Sequence, residues 1–326
     1  MAVSRRGGRA FASFRPYGEW ALEELATSCP VCREREHSRV SLPRDVIGRC
    51  TLFECRPCRV RFLGAWTGAR PGEDDYWSEP TIGLGIYTAP AVVSELTAKY
   101  REALDVFASA LPPGARVLDV GCGLGVFLGV ARERGLIGTG IDISATATAI
   151  AHERFGHDAR AGTLEEQRFP DARFDLVTLW DVIEHVFDPA ALMREVRRVL
   201  APGGLVLLET PDEGAILRGL ARLAYWASLG RVRGPARSCY YPAHRVYFTR
   251  PGLRALLARS GFERVRFRRG CSMRAKSRLK NASYGKKARL EDAVLSFMSV
   301  APLLGNKIVA VASAAPDGAR ASPGVS

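Results

Sequence analysis

The pattern of apolar and polar residues divides the middle of the chain into alternating strands and helices. Residues 116–120, Arg-Val-Leu-Asp-Val, place branched apolar side chains around one acid, which is typical of a parallel strand buried on both faces. Three glycines follow at alternate positions, and residues 126–133 return to helical spacing. The pattern predicts a strand, a tight glycine loop and a helix, on which a nucleoside-bearing ligand can lie close to the backbone.

The same alternation continues toward the end of the chain. Apolar runs predict six further strands, at 137–142, 158–161, 174–180, 205–209, 262–268 and 307–312. Helical spacing recurs at 91–111, 145–155, 188–200 and 249–260. Strands that alternate with helices favour an α/β fold class. We expect a doubly wound, Rossmann-like, seven-stranded and mostly parallel sheet, preceded by a small N-terminal zinc ribbon.

Two details of the glycine loop indicate which ligand it holds. The dinucleotide fingerprint wants a third small residue three positions after the second glycine, but here Gly125 follows Gly123 by two positions and Val126 occupies the dinucleotide slot. Asp119, just before the loop, would repel a pyrophosphate and attract an ammonium or a sulfonium. A second acid, Asp142, ends the next predicted strand, where it can accept hydrogen bonds from two ribose hydroxyls. A cationic cofactor that carries a nucleoside fits best.

Four segments resemble, in order, the motifs of class I S-adenosylmethionine-dependent methyltransferases. They are Leu-Asp-Val-Gly-Cys-Gly-Leu-Gly, Gly-Ile-Asp-Ile, Phe-Asp-Leu-Val-Thr-Leu-Trp-Asp-Val-Ile-Glu-His-Val and Leu-Ala-Pro-Gly-Gly-Leu-Val-Leu-Leu-Glu-Thr-Pro, within about 103–312. The alternative is an unrelated doubly wound domain that uses these segments only for packing. The resemblance implies S-adenosylmethionine as cofactor, held by Asp119, Gly121, Cys122, Gly123, Gly125, Asp142, Ile143, Thr163, Leu164, Trp180 and Asp181.

Four of the eight cysteines form two closely spaced pairs. Cys29-Pro-Val-Cys32 and Cys55-Arg-Pro-Cys58 are separated by 22 residues, a spacing typical of a tetrahedral four-thiolate zinc site. Disulfides are the less favoured alternative in a cytosolic chain. Because four protein ligands leave no open position for water, we expect a structural zinc. The segment resembles the ribbon that precedes many bacterial methyltransferases of sugar and secondary-metabolite pathways.

Composition predicts how the chain is divided. We expect disorder at 1–15, the zinc ribbon at 16–70, a linker or lid at 71–102, the methyltransferase core at 103–312 with basic insertions at 212–248 and 270–290, and a disordered tail at 313–326. The sequence shows no secretory segment and no apolar stretch long enough to span a bilayer, so we expect a soluble cytoplasmic protein.

Positive charge is concentrated in one part of the chain. Residues 214–289 contain twenty Lys or Arg and a single acid, Glu263, whereas the whole chain carries only +13. This surplus indicates an anionic partner near it: a phosphate-bearing or otherwise anionic small-molecule acceptor, nucleic acid as a less favoured choice, or peripheral contact with an acidic membrane. A solvated basic face is the alternative.

Three side chains are candidates for the chemistry at the acceptor. His185 lies one turn beyond the strand at 174–180 and could take a hydroxyl proton near neutral pH, or it could simply pack beside the cofactor. His244 opens a stretch that resembles a family segment bordering the substrate pocket. Tyr76 lies in the predicted lid, where the family presents aromatics to the substrate, with a packed linker aromatic as the alternative. We expect the other histidines to be solvated: His37, His152 and His157.

These features predict a methyltransferase that acts on an oxygen or carbon of a small-molecule acceptor, namely a sugar, a glycan precursor or a secondary metabolite. The segment Trp180-Asp181-Val182-Ile183 replaces the Asn-Pro-Pro-Tyr type of motif, which disfavours exocyclic base amines. The alternative is an RNA methyltransferase that uses the ribbon and the basic surface, although regularly interleaved stacking aromatics are missing. A cofactor-binding protein without turnover is a third hypothesis.

Overall fold

The computed structural model describes residues 28–40, 51–64, 84–106, 110–233, 236, 239–240, 244–270 and 305–315. Tyr76, the predicted disordered N-terminal segment and most of the second basic insertion lie outside these ranges. The strands are β1 His37–Val40, β2 Leu52–Cys55, β3 Arg61–Leu63, β4 Arg116–Val120, β5 Ile137–Asp142, β6 Asp158–Ala161, β7 Phe174–Trp180, β8 Leu200–Pro211, β9 Val246–Tyr247, β10 Phe262–Gly270 and β11 Lys307–Ala314. The helices are α1 Leu84–Tyr87, α2 Pro90–Asp105, α3 Val126–Glu133, α4 Ala145–Phe155, α5 Pro189–Val199, α6 Ile216–Ala227 and α7 Arg250–Arg259.

A seven-stranded sheet forms the centre of the fold, in the order β10-β11-β8-β7-β4-β5-β6. The strands from β8 to β6 pair in parallel, and β11 runs antiparallel to both of its neighbours. The sequence-based prediction of a doubly wound, mostly parallel, seven-stranded sheet is therefore confirmed. Because the chain winds outward in one direction from β4 and in the other from β7, the crevice at their carboxyl ends is the natural ligand site.

Six elements, β4, β5, β6, β7, α3 and α4, have the predicted bounds. Strand β8 is longer than predicted because its pairing with β11 continues to Pro211. Strand β11 runs through Ala314, two residues into the range predicted as a disordered tail, where Ser313 pairs with Leu205 on one side and with Glu263 on the other. Because β11 is paired along both edges here, the strand extends beyond Ala312 although its last residues are only weakly apolar.

A smaller antiparallel sheet, β1-β2-β3-β9, contains the cysteine pairs. Its last strand, β9, lies more than 180 residues further along the chain and pairs with β3, with Phe62 opposite Val246. Val60 and Phe62 are buried in the same apolar cluster as Leu253 of α7. The ribbon sheet is thus completed by the segment predicted as the first basic insertion and packs on the larger core.

Helix α6, in that first insertion, is apolar on two faces. Its buried side holds Leu217, Ala221 and Tyr225, while the apolar side chains on its other side are exposed: Ile216, Leu220, Leu223 and Trp226. None of the described helices combines the length and the apolar character needed to cross a bilayer.

Candidate active site

The glycine loop between β4 and α3 is shaped by positions where no side chain fits. Gly121 has φ +73°, and a Cβ there would lie 2.4 Å from Cγ2 of Val182. Gly125 has φ +79°, and its Cβ would lie 2.7 Å from Cδ2 of His157. Side chains are therefore excluded by both backbone conformation and space. The loop exposes backbone where the sequence predicts the cofactor.

His157, expected from the sequence to be solvated, is in fact 7% exposed. The chain leaves α4 at Gly156, which has a left-handed conformation, and returns at once toward the loop, so that the imidazole packs on Gly125. Burial lowers the pKa of His157, and nearby Arg132 lowers it further. The glycine after the helix was the available signal, because a left-handed cap redirects the following residue toward the helix it ends.

Asp142 holds the glycine loop to the end of β5. One carboxylate oxygen accepts from the backbone N–H of Gly123 and the other from that of Ser144, each at 2.9 Å. These two hydrogen bonds fix the carboxylate beside the loop, where the sequence predicts that it meets the ribose hydroxyls. The neighbouring Ile143 is 49% exposed, an apolar side chain in position to cover a nucleobase.

Asp119 is buried beside the loop and only 2% exposed. Its carboxylate accepts from Oγ1 of Thr178, its partner in β7, at 2.7 Å. Burial raises the pKa of Asp119 to about 8, against the lowering effect of Thr178, and the nearby charge of Asp142 raises it further. A cation placed next to Asp119 would favour its ionised form.

The other predicted cofactor residues line or support this region. Leu164 is 1% exposed, and the backbone N–H of Thr163 donates to Glu166 at 2.7 Å. Cys122 is buried, and its Sγ lies 2.7 Å from where a Cβ on Gly140 would be. The Trp180 ring packs 4.7 Å from that of Tyr100 and 5.9 Å from that of Phe127. A loop without side chains, an acid held beside it and an exposed apolar side chain fit S-adenosylmethionine.

Asp181 belongs to a buried charge network at the carboxyl ends of β7 and β8. Lys307 donates to Asp181 and, at 2.7 Å, to Glu209. Lys99 of α2 donates to the same oxygen of Glu209 at 2.6 Å, and its Nζ lies 4.9 Å from the Trp180 ring centroid. The attraction of Asp181 and Glu209 outweighs burial and raises the pKa of Lys307. No pattern along the chain predicts these pairings, which join residues up to 126 positions apart.

The two candidate histidines meet beside this network. The rings of His185 and His244 have centroids 4.7 Å apart in an edge-to-face arrangement. The backbone carbonyl of Glu184 accepts from the N–H groups of Arg245 and Val246, at 2.7 and 3.2 Å, which fixes the segment that carries His244. Burial lowers the pKa of His244 well below its usual value, and His185 lowers it further. Its imidazole is therefore neutral.

Glu184 is the acid that sequence reasoning missed. It is 1% exposed, and its Oε2 accepts from Oγ1 of Thr210 at 2.9 Å. Burial raises its pKa to about 8, and the charge of Asp181 raises it further. Its place next to a candidate histidine, one turn after a buried strand, was the usable signal.

The four predicted zinc ligands converge within the ribbon. All four are buried and their sulfurs lie within 4.8 Å of one another, with Cys29 to Cys58 at 3.6 Å and Cys32 to Cys55 at 3.4 Å. Tetrahedral thiolates around zinc are about 3.8 Å apart. The hydrogen bond between Cys29 and Cys58 lowers the pKa of Cys29 to about 5. The donor set fits one zinc ion with no open position, so its contribution would be structural.

A buried ionic cluster joins the ribbon to α6. Glu213 accepts from the guanidinium groups of Arg61, Arg218 and Arg222 and from the hydroxyl of Tyr240. Part of the basic surplus is thus neutralised inside the protein.

Comparison with known proteins gives a family and a fold. A family model described as a methyltransferase domain matches residues 92–266, so the cysteine ribbon lies outside the match. The ubiquinone biosynthesis O-methyltransferase of Bradyrhizobium sp. (strain ORS 278) is 40% identical over 102 residues, covering 30% of this chain and 40% of the relative. The malonyl-[acyl-carrier protein] O-methyltransferase of Serratia marcescens is 34% identical over 105 residues, covering 32% and 41%.

The chain spans about two fifths of the length of these curated relatives. Among solved structures, phosphoethanolamine N-methyltransferase 2 of Haemonchus contortus, in complex with S-adenosyl-L-methionine, has a TM-score of 0.53 at 17% identity, covering 85% of this chain and 71% of that one. That likeness concerns the fold alone.

Proposed function

We propose that this chain, which belongs to the methyltransferase-domain family, transfers the methyl group of S-adenosylmethionine to a hydroxyl oxygen of a small-molecule acceptor. The observation that carries the proposal is the meeting of His185 and His244, 59 residues apart in sequence, at the carboxyl edge where the sheet receives ligands. Two relatives named as O-methyltransferases support oxygen over carbon.

The cofactor supplies, when bound, a methyl group already activated on a sulfonium. The residues of the chain therefore have to bind the cofactor, align the acceptor with it and take up one proton. The loop 121–125 and Asp142 would hold the nucleoside, and Asp119 in its ionised form would attract the positive charge. Alignment of two reactants can supply roughly 7–11 kcal/mol of the barrier lowering.

The acceptor hydroxyl loses its proton as the oxygen–carbon bond forms and the carbon–sulfur bond breaks, with the electron pair leaving on sulfur. His244 could take that proton as a neutral imidazole, and the charge of Asp181 would offset part of the cost that burial places on the imidazolium. His185 lies edge-to-face against it and can share its position next to the acceptor. A positioned base of this kind contributes typically ~10²–10⁴-fold to the rate.

The acceptor is an anionic or polar small molecule of the sugar, glycan-precursor or secondary-metabolite class. Support comes from the concentration of Lys and Arg in residues 214–289, the segment that carries His244. Cytoplasmic location and contact with a membrane surface or RNA stay predictions.

The test is methyl transfer from labelled S-adenosylmethionine to pools of small-molecule extracts and to RNA. We expect labelling of small molecules, with His244→Gln slower by about 10²–10⁴-fold while cofactor binding is unchanged. His152→Gln, on the surface of α4, is the matched control and should keep full rate. Labelling of RNA alone, or a wild-type rate for His244→Gln, would contradict the proposal.

A further inference from the structure

We infer that Glu184, His185 and His244 form a binding site for a divalent transition-metal cation, separate from the cysteine site. One ligand atom from each of the three residues lies within 4.8 Å of the other two. Ligands that are each about 2.1 Å from one ion are about 3.4 Å apart in tetrahedral geometry. Side-chain shifts of up to about 0.8 Å would bring the three onto a common ion. The inference rests on the proposed function, because the cation would lie in the acceptor pocket.

An unsatisfied oxygen points to a missing ligand at this place. Glu184 is 1% exposed and uses its Oε2 for Thr210, yet its Oε1 has no hydrogen-bond partner among the described residues. A buried carboxylate oxygen without a donor is costly, and such oxygens in native proteins call for an explanation. A coordinated cation supplies the missing partner.

The local charge balance favours a cation. Three carboxylates meet at the ends of β7 and β8, those of Asp181, Glu184 and Glu209, against two ammonium groups, those of Lys99 and Lys307. The lysines are engaged with Asp181 and Glu209. A bound cation would displace the proton of Glu184, and the one negative charge that this carboxylate then carries would balance the ion in part.

The donor set indicates which cation and what it would do. Two imidazoles and one carboxylate suit Mn²⁺, Fe²⁺, Co²⁺ or Zn²⁺. Unlike the four-cysteine site, three protein ligands leave positions open for the oxygens of an acceptor. As a Lewis acid the ion would lower the pKa of a bound hydroxyl, whose proton would then leave to solvent. In the metal-loaded protein this route would replace proton transfer to His244, whose imidazole would serve as a ligand. The preferred acceptor would carry two adjacent oxygens able to chelate.

The probe is Mn²⁺, titrated by electron paramagnetic resonance into the zinc-loaded full chain, because thiolates select zinc and leave manganese to the second site. We expect one bound Mn²⁺ per chain with nitrogen hyperfine coupling from imidazole. Glu184→Gln and His244→Gln should each weaken Mn²⁺ binding by at least about tenfold. His152→Gln should bind as the wild type does.

Binding of S-adenosylmethionine, measured on the same samples, separates this inference from the proposed function. Wild-type protein that binds the cofactor but no Mn²⁺, or Mn²⁺ without nitrogen coupling, overturns the metal site and leaves the proposed function intact. Loss of cofactor binding in the wild type overturns the proposed function instead. The hyperfine coupling is read in the wild type, so the test holds even where a variant fails to fold.

Discussion

The proposed cofactor side and the proposed acceptor side of the site are built in different ways. The proposed cofactor side is made by one stretch of chain, from β4 through the glycine loop to Asp142, and much of it is backbone. The proposed acceptor side is assembled from the ends of β7 and β8, the segment at His244 and β11, and Arg61 of the ribbon supports it through Glu213. The first depends on local conformation, whereas the second depends on long-range docking. A substitution that disrupts one side should therefore leave the structure of the other side intact.

The largest expected effect comes from removing the zinc site. Cys32→Ser should abolish stoichiometric zinc and acceptor turnover, since a structural zinc is worth ~10–16 kcal/mol in zinc-finger peptides. Loss of the ribbon would release β9 and the Arg61–Glu213 contact, but the central sheet would remain. Metal analysis, turnover and cofactor calorimetry check this together.

Cofactor binding by Cys32→Ser should stay within several-fold of wild type, and zinc added back to chelated wild-type protein is the control. Turnover that persists without zinc would show that the acceptor side keeps its structure without the metal. Loss of cofactor binding along with turnover would instead mean that the two sides fold as one unit.

The same contrast explains what could be predicted from the sequence. Strands β4, β5 and β7 and the loop were readable because burial on both faces and glycine spacing are local signals. The position of Glu184 beside His185 was visible in the sequence. The roles of Glu184, Glu209 and Glu213 were not, because they depend on partners that only tertiary packing supplies, such as Thr210, Lys307 and Arg61. His185 and His244 were found singly, but their contact follows from backbone hydrogen bonds to Glu184 that no periodicity predicts.

A smaller effect, confined to the cofactor side, is expected from Gly121→Ala. Gly121 and Gly114 have nearly the same φ, +73° and +71°, but only at Gly121 would a Cβ clash, whereas at Gly114 nothing lies within 4 Å. Both variants should bear the backbone strain of about 1–3 kcal/mol. Gly121→Ala should in addition lose about tenfold or more in cofactor affinity by calorimetry, from a displaced loop. Equal affinities for the two variants would refute the steric account.

An effect that is gradual rather than stepwise concerns pH. Because burial raises the pKa of Asp119 to about 8, the folded, unliganded protein holds that proton more tightly than the unfolded chain does. Its stability should therefore fall as the pH rises from about 4 to about 8. A cationic cofactor favours the ionised form, so its affinity should rise about tenfold per pH unit below about pH 8, with proton release. Asp119→Asn should flatten both profiles, and an unchanged calorimetric profile would exclude Asp119 as their source.

The most direct test of the central claim is calorimetric titration of the full chain with S-adenosylmethionine, beside Asp142→Asn. The account predicts saturable binding of one molecule per wild-type chain. In the variant, whose sheet should still form by circular dichroism, binding should be weakened by at least about tenfold, because a carboxylate that holds the loop and accepts ribose hydroxyls is lost. Wild-type protein that ignores S-adenosylmethionine and binds a nicotinamide or flavin nucleotide would contradict it.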